Sequence, residues 1–269
     1  MTDAPLPYDV QTHHLSEDVT TGGSIPFWAV FKRELSLYFR SPVAYAIAFA
    51  LFFFLSLVFN GYIAQANQRA PAQPALIPNL VTFLLFLIGP LLTMRLIAEE
   101  TREGTLEVLM TLPMGEWHFI LGKFLAAWAY YTVLVILSLV YEIIWTQVGV
   151  PDQGVAFGAY IGAWLYGGAV LAVCMIWTAV TEDQIVAAFL SAATVLVLYL
   201  ADIAASALAA QPNLSVFAEI LRELGLQAHY GSTLARGVLR LHDILYFIFV
   251  IIGALFITTR IVETRRWRA

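Results

Sequence analysis

The chain has 269 residues, 60% of them hydrophobic and 12% charged, against roughly 45 to 50% and 25% in soluble domains; it cannot hide its apolar surface from water and belongs in a membrane. A net charge of −5, spread between the ends and a few loops, offers no basic field and excludes nucleic acid as a partner. With Cys174 as its one cysteine, the chain has no internal disulfide framework and no cysteine-based zinc site.

Residues 1–24 are polar and acidic with no apolar core, so they form no cleavable signal peptide and are expected to be a disordered cytoplasmic tail. In the next stretch Phe27, Phe31, Leu35 and Tyr38 recur at helical spacing, with Lys32, Arg33, Glu34 and Arg40 largely on other faces. This pattern predicts a helix over 25–40 lying in the inner interface. Ser41 and Pro42 then supply an N-cap and a first-turn proline for a spanning helix.

Six apolar runs near 42–63, 79–97, 119–147, 157–180, 185–210 and 242–263 each suffice to cross roughly 30 Å of hydrocarbon. The fold class is therefore all-α, a polytopic membrane protein with six transmembrane helices in a single domain over 25–269. An even number of spans puts both termini on one side. With that side cytoplasmic, Lys32, Arg33, Arg40, Arg95, Arg102, Lys123, Arg260, Arg265, Arg266 and Arg268 lie inside and only Arg69, Arg222, Arg236 and Arg240 outside, as the positive-inside rule requires. Trp28, Trp117 and Trp267 fall at inner boundaries and Trp145 and Trp164 at outer ones, as an aromatic belt does.

Between the second and third runs, residues 98–117 read AEETREGTLEVLMTLPMGEW, with five charged side chains in ten positions. As a helix this places Glu99, Glu103 and Glu107 on one face and Leu106, Leu109 and Met110 along an apolar edge. Gly104 breaks the run into two short pieces, Thr105 caps the second, and Pro113 with Gly115 ends it. Such an acid-edged helix, held by a span at either end, is either a solvated face or a handle for another molecule.

Further along, Gly154, Gly158 and Gly162, and Ala201, Ala205 and Ala209, are spaced by four. Small residues at that spacing let backbones approach closely in lipid, within this chain or in a dimer seam. Thr181 with Gln184 fits a capping box at a short inner turn. Phe217, Ile220, Leu221 and Leu224, beside Glu219, Arg222 and Glu223, predict a short amphipathic helix on the outer surface, packed against neighbouring spans or handling substrate. Glu142 and Asp202 are intramembrane acids and so candidate functional groups. Each lies roughly 27 to 28 Å of helix from its inner boundary, near the outer headgroups. Solvation, an outer transport pathway and proton chemistry are all open to them. His118, His229 and His242 lie at predicted boundaries, where a wet histidine is ordinary, and no metal site is expected.

The chain has no phosphate-binding loop of its own. Lys32 has no glycine before it, and Lys123 follows Gly122 but has Trp117 in place of the first glycine and Phe124 in place of the hydroxyl. Neither His-Glu-x-x-His nor Gly-x-Ser-x-Gly occurs, so the common zinc-hydrolase and serine-elbow signatures are missing.

The stretch AEETREGTLEVLMTLPMGEWHFILGKFLA resembles the segment joining the second and third spans in membrane subunits of type 2 ATP-binding-cassette (ABC) exporters. The stretch ARGVLRLHDILYFIFVIIGALFITTRIVETRRW resembles the last span and basic terminus of the gliding-motility-type branch of these permeases, departing from it at His242. The resemblance implies a non-catalytic permease half in the bacterial inner membrane. Two such chains, identical or related, surround a pathway, and each inserts its inner helix into a groove on a separate ATPase, which holds the ATP and Mg. It implies that Glu99, Glu100, Arg102, Glu103, Gly104, Thr105, Leu106, Glu107, Leu109 and Met110 form the ATPase-coupling segment, and that this chain binds no cofactor itself. A mechanical or signalling subunit that moves no solute, and a proton-driven carrier or intramembrane enzyme using Glu142 or Asp202, remain as alternatives. The spans carry no recognisable substrate-recognition set.

Overall fold

A computed structural model of the chain describes residues 25–66, 73–104, 116–209 and 214–266. The expected tail over 1–24, and Thr105, Leu106, Glu107, Leu109, Met110 and Trp267, lie outside the described residues. The helices are α1 (Ile25–Arg40), α2 (Pro42–Ala66), α3 (Leu76–Thr93), α4 (Ala98–Arg102), α5 (Glu116–Val148), α6 (Gln153–Val180), α7 (Gln184–Ala209), α8 (Ser215–Leu224), α9 (Leu226–Gly231) and α10 (Leu241–Arg266). No strand occurs among the described residues. In hydrocarbon every backbone N–H and C=O must be satisfied within the chain, and an apolar run solves this by coiling into a helix.

Among the described residues, six segments are long and apolar enough to cross a membrane: Pro42–Ala64, Leu76–Arg102, Glu116–Val148, Gln153–Val180, Gln184–Ala209 and Leu241–Thr264. They coincide with the six expected runs. At 33 residues, α5 is roughly 50 Å long and outruns the hydrocarbon, so one end reaches into the interface. The central element is α6, whose apolar stretch is 78% buried, whereas those of α2 and α7 are 28% and 22% buried. Phe49, Phe53, Phe189 and Val197 point outward from these two peripheral helices.

The glycines of α6 show how the centre is packed. A Cβ at Gly158 would press on the backbone at Gly237, and one at Gly162 on Leu234 and the Tyr230 ring. The ridge is therefore filled within the chain, by the segment that follows α8. On α7, Ala201 and Ala205 are buried while Ala209 is exposed. Deeper in α6, a Cβ at Gly167 would overlap the Tyr131 ring, whose hydroxyl donates to the Ala163 carbonyl at 2.8 Å. Gly167→Ala should therefore displace Tyr131 and lower stability by about 1–3 kcal/mol, the usual range for overpacking, read as a lower unfolding temperature in detergent.

Several local expectations change. Ser41 is the single non-helical residue between α1 and α2, and its carbonyl accepts from the Ala44 and Tyr45 amides. At the α6 to α7 turn the cap is Asp183, whose Oδ1 accepts from Ile185 and Val186 N–H at 2.7 and 3.1 Å. Thr181 instead bonds back to the Trp177 carbonyl, because a carboxylate one residue before the helix outcompetes a hydroxyl three residues before it. Trp164 lies well inside α6, stacked on Trp128 with ring centroids 4.5 Å apart. Trp145 is buried against Phe59. The amphipathic helix forms as α8, but only Ala218 is buried, and Phe217, Ile220 and Leu224 are exposed.

Candidate functional site

The second span does not run straight into the charged segment. Pro90 inside α3 has no N–H to donate, the helix ends at Thr93, and a turn over 94–97 precedes α4. Gly104 then adopts a left-handed conformation, φ +69°, which glycine reaches without a Cβ penalty. The acidic segment thus begins as an elbow of one short helix, rather than as a continuation of the span, and its second expected piece lies outside the described residues.

The elbow is tied into the bundle by ions. Lys123, on the second turn of α5, is 2% exposed, and its Nζ lies 2.9 Å from Glu34 Oε1 on α1 and 3.0 Å from Glu100 Oε1 on α4. Arg33, largely in solvent, adds a second cation 4.0 Å from Glu100 Oε1. Two carboxylates are thereby matched by two cations, which is what permits such groups to leave water. The face of Phe119 lies 5.0 Å below the Lys123 ammonium, a further favourable site for a cation.

Tyr38 reinforces the tie. Its hydroxyl donates to the Leu92 carbonyl at the end of α3, 2.6 Å away, and its ring stacks on Tyr130 of α5 with centroids 5.1 Å apart. Burial, and next the Glu34 carboxylate, push its phenol above the ordinary tyrosine range, so it remains a neutral donor. Helix α1 is therefore fastened to α3, α4 and α5 at one end of the bundle. A cleft of roughly 480 Å³ opens between these elements, lined in part by Arg33, Arg95, Glu99 and Glu103.

Within the expected coupling segment the residues separate by orientation. Glu100 is buried and paired with Lys123, so it ties the elbow to its own chain. Arg102, Glu103 and Gly104 are exposed and Glu99 half-buried; these form the outward edge. Two residues of the tie, Glu34 and Lys123, were missed as site residues from sequence. Glu34, set off the apolar face of α1 by its spacing, is 6% exposed because it turns toward Lys123. The available signal was Lys123 itself, a lone lysine two turns into an apolar run, which must find an anion. Of the charged groups lining this cleft, Arg33, Glu34, Glu100 and Lys123 pair with one another.

At the opposite end, Glu142 and Asp202 have different surroundings. Glu142 is 8% exposed and its Oε1 has no hydrogen-bond partner, where solvation was one expectation. Asp202 is half-buried beside Arg222 of α8, with 3.9 Å between Oδ1 and Nε.

Residues 56–224 match the family described as ABC-2 family transporter protein. Two curated relatives are both described as probable ABC transporter permease protein NosY. The one from Pseudomonas aeruginosa is 36% identical over 103 residues, and the one from Stutzerimonas stutzeri is 33% identical over 103 residues. Each match covers 36% of this chain and 37% of the relative, so the chain spans little more than a third of the length of the curated relatives it matches.

Proposed function

The chain belongs to the ABC-2 family of transporter proteins, and from that premise we propose that it is the permease subunit of an ABC exporter, driven by a separate ATPase chain and paired with a second permease chain. It sits in the bacterial inner membrane with both termini in the cytoplasm and catalyses nothing itself; ATP and Mg belong to the partner. The observation that carries this reading is the buried ion set of Glu34, Glu100 and Lys123, which makes the elbow, α1 and the start of α5 one mechanical unit. Closure of the ATPase pair pushes on the outward edge of Glu99, Arg102 and Glu103. Through Glu100 and Lys123 the push reaches α1 and α5 together, and the spans tilt as rigid bodies between inward- and outward-facing states. The outward apolar faces of α2 and α7 receive lipid and the second permease chain, and Glu142 and Asp202 line the outer part of the pathway.

Copurification from native membranes tests this. A soluble subunit with a phosphate-binding loop should accompany the chain, and ATPase activity should require both. A chain that purifies alone and transports on a proton gradient would overturn the reading.

A further inference from the structure

We propose that His229, His242 and Asp243 form a binding site for one divalent transition-metal ion of the zinc class, at the end of the bundle opposite Lys123. His229 on α9 and Asp243 in the first turn of α10 are 5% and 4% exposed, while His242 is open to solvent. His229 Nδ1 lies 2.9 Å from Asp243 Oδ1, and His242 Nδ1 lies 3.6 Å from the same oxygen. The ligand atoms of all three residues fall within 4.8 Å of one another. A tetrahedral ion with bonds of 2.0–2.1 Å sets its ligands about 3.3 Å apart, so small side-chain rotations close the set.

The hydrogen-bond partners of His229 leave room for a metal ion there. His229 Nε2 lies 3.2 Å from the Glu223 carbonyl oxygen, which only accepts, so Nε2 carries the ring hydrogen. The Nδ1 lone pair of that neutral ring then faces the Asp243 carboxylate, which is also an acceptor. Two acceptors 2.9 Å apart must be bridged, and a metal ion between them takes in His242 as well. A histidine anchored through its far nitrogen to a backbone carbonyl, with the near nitrogen beside a carboxylate, has the outer-shell arrangement of metal-binding histidines. The ring is also held in place by Tyr246, stacked 3.8 Å away. Asp243 Oδ2 is buried, finds no hydrogen-bond partner among the described residues, and is available as a ligand. Two imidazoles and one carboxylate, with the fourth position open beside the exposed His242, suit zinc or cobalt(II) rather than calcium or magnesium, which take oxygen ligands.

The inference does not depend on the ATPase reading. The test uses the full chain in detergent, freed of any histidine tag and stripped with chelator, then titrated with Co²⁺ by visible absorption and with Zn²⁺ by calorimetry. One ion per chain is expected, with zinc raising the unfolding temperature, since a ligand that binds only the folded state stabilises it. His242→Ala, which leaves the buried His229 and Asp243 contact intact, and Asp243→Asn should each weaken binding at least tenfold, and His242→Ala should not change the unfolding temperature of the metal-free chain. Absence of binding to the stripped protein, or wild-type affinity in the His242→Ala variant, would overturn the site.

Discussion

Reversal of Glu103 and Glu107 to lysine is expected to cut ATPase coupling at least tenfold while leaving the amount of membrane-inserted chain unchanged. Glu103 is exposed on the outward edge of the elbow, so its charge contributes nothing to burial inside the bundle. Glu107 follows four residues later. Placing like charges against a surface shaped for the opposite sign costs several kcal/mol, and tenfold needs only about 1.4 kcal/mol. The same reversal at Glu219, exposed on α8 at the other end of the bundle, should leave coupling intact. ATP hydrolysis by the reconstituted complex, with and without the permease variants, is the measurement, and unchanged coupling in the double reversal would count against the elbow as the handle.

Loss of Lys123 should be the most damaging single change to stability. Lys123→Met would leave Glu34 and Glu100 buried without the ammonium that each approaches at 2.9 and 3.0 Å. Removing one partner of a buried ion pair costs about 3–5 kcal/mol, whereas replacing the whole set by apolar residues of similar size is often neutral. The combined Lys123→Leu, Glu34→Leu, Glu100→Leu variant should therefore recover most of the unfolding temperature lost in Lys123→Met. It should nevertheless couple poorly, because packing without ions does not fasten the elbow to α1 and α5 as one piece. A Lys123→Met chain as stable as the parent would mean that the ammonium is not buried in the folded protein.

The spans were legible because apolar length is read directly from sequence and because hydrocarbon admits almost no alternative to the helix. Gly104 was legible as a break for a similarly local reason, since a left-handed residue favours glycine. What stayed hidden is set by long-range contact. Glu34 and Lys123 are 89 positions apart, and the helical pattern of α1 set Glu34 off the apolar face without showing what it meets. His229 and Asp243 are 14 positions apart on different helices, so neither spacing nor composition suggested that they meet. The glycine ridge on α6 was visible, but its occupant, the segment containing Tyr230, Leu234 and Gly237, became apparent only once α8 and α9 were placed against α6 and α7. Of the handle itself, the outward orientation of Glu103 and the inward orientation of Glu100 are properties of the turn over 94–97, which the span pattern did not reveal.

A thiol at position 103 tests the account most directly. Cys174 is fully buried, so Glu103→Cys introduces the one accessible thiol in a chain with a single native cysteine. In inverted membrane vesicles turning over ATP, a maleimide carrying a photoreactive benzophenone, attached to this thiol and illuminated, should join position 103 to the ATPase subunit, and a membrane-impermeant maleimide added to intact cells should leave the thiol unlabelled. Labelling from the outside of intact cells, or no cross-link to an ATPase under turnover, would contradict the account.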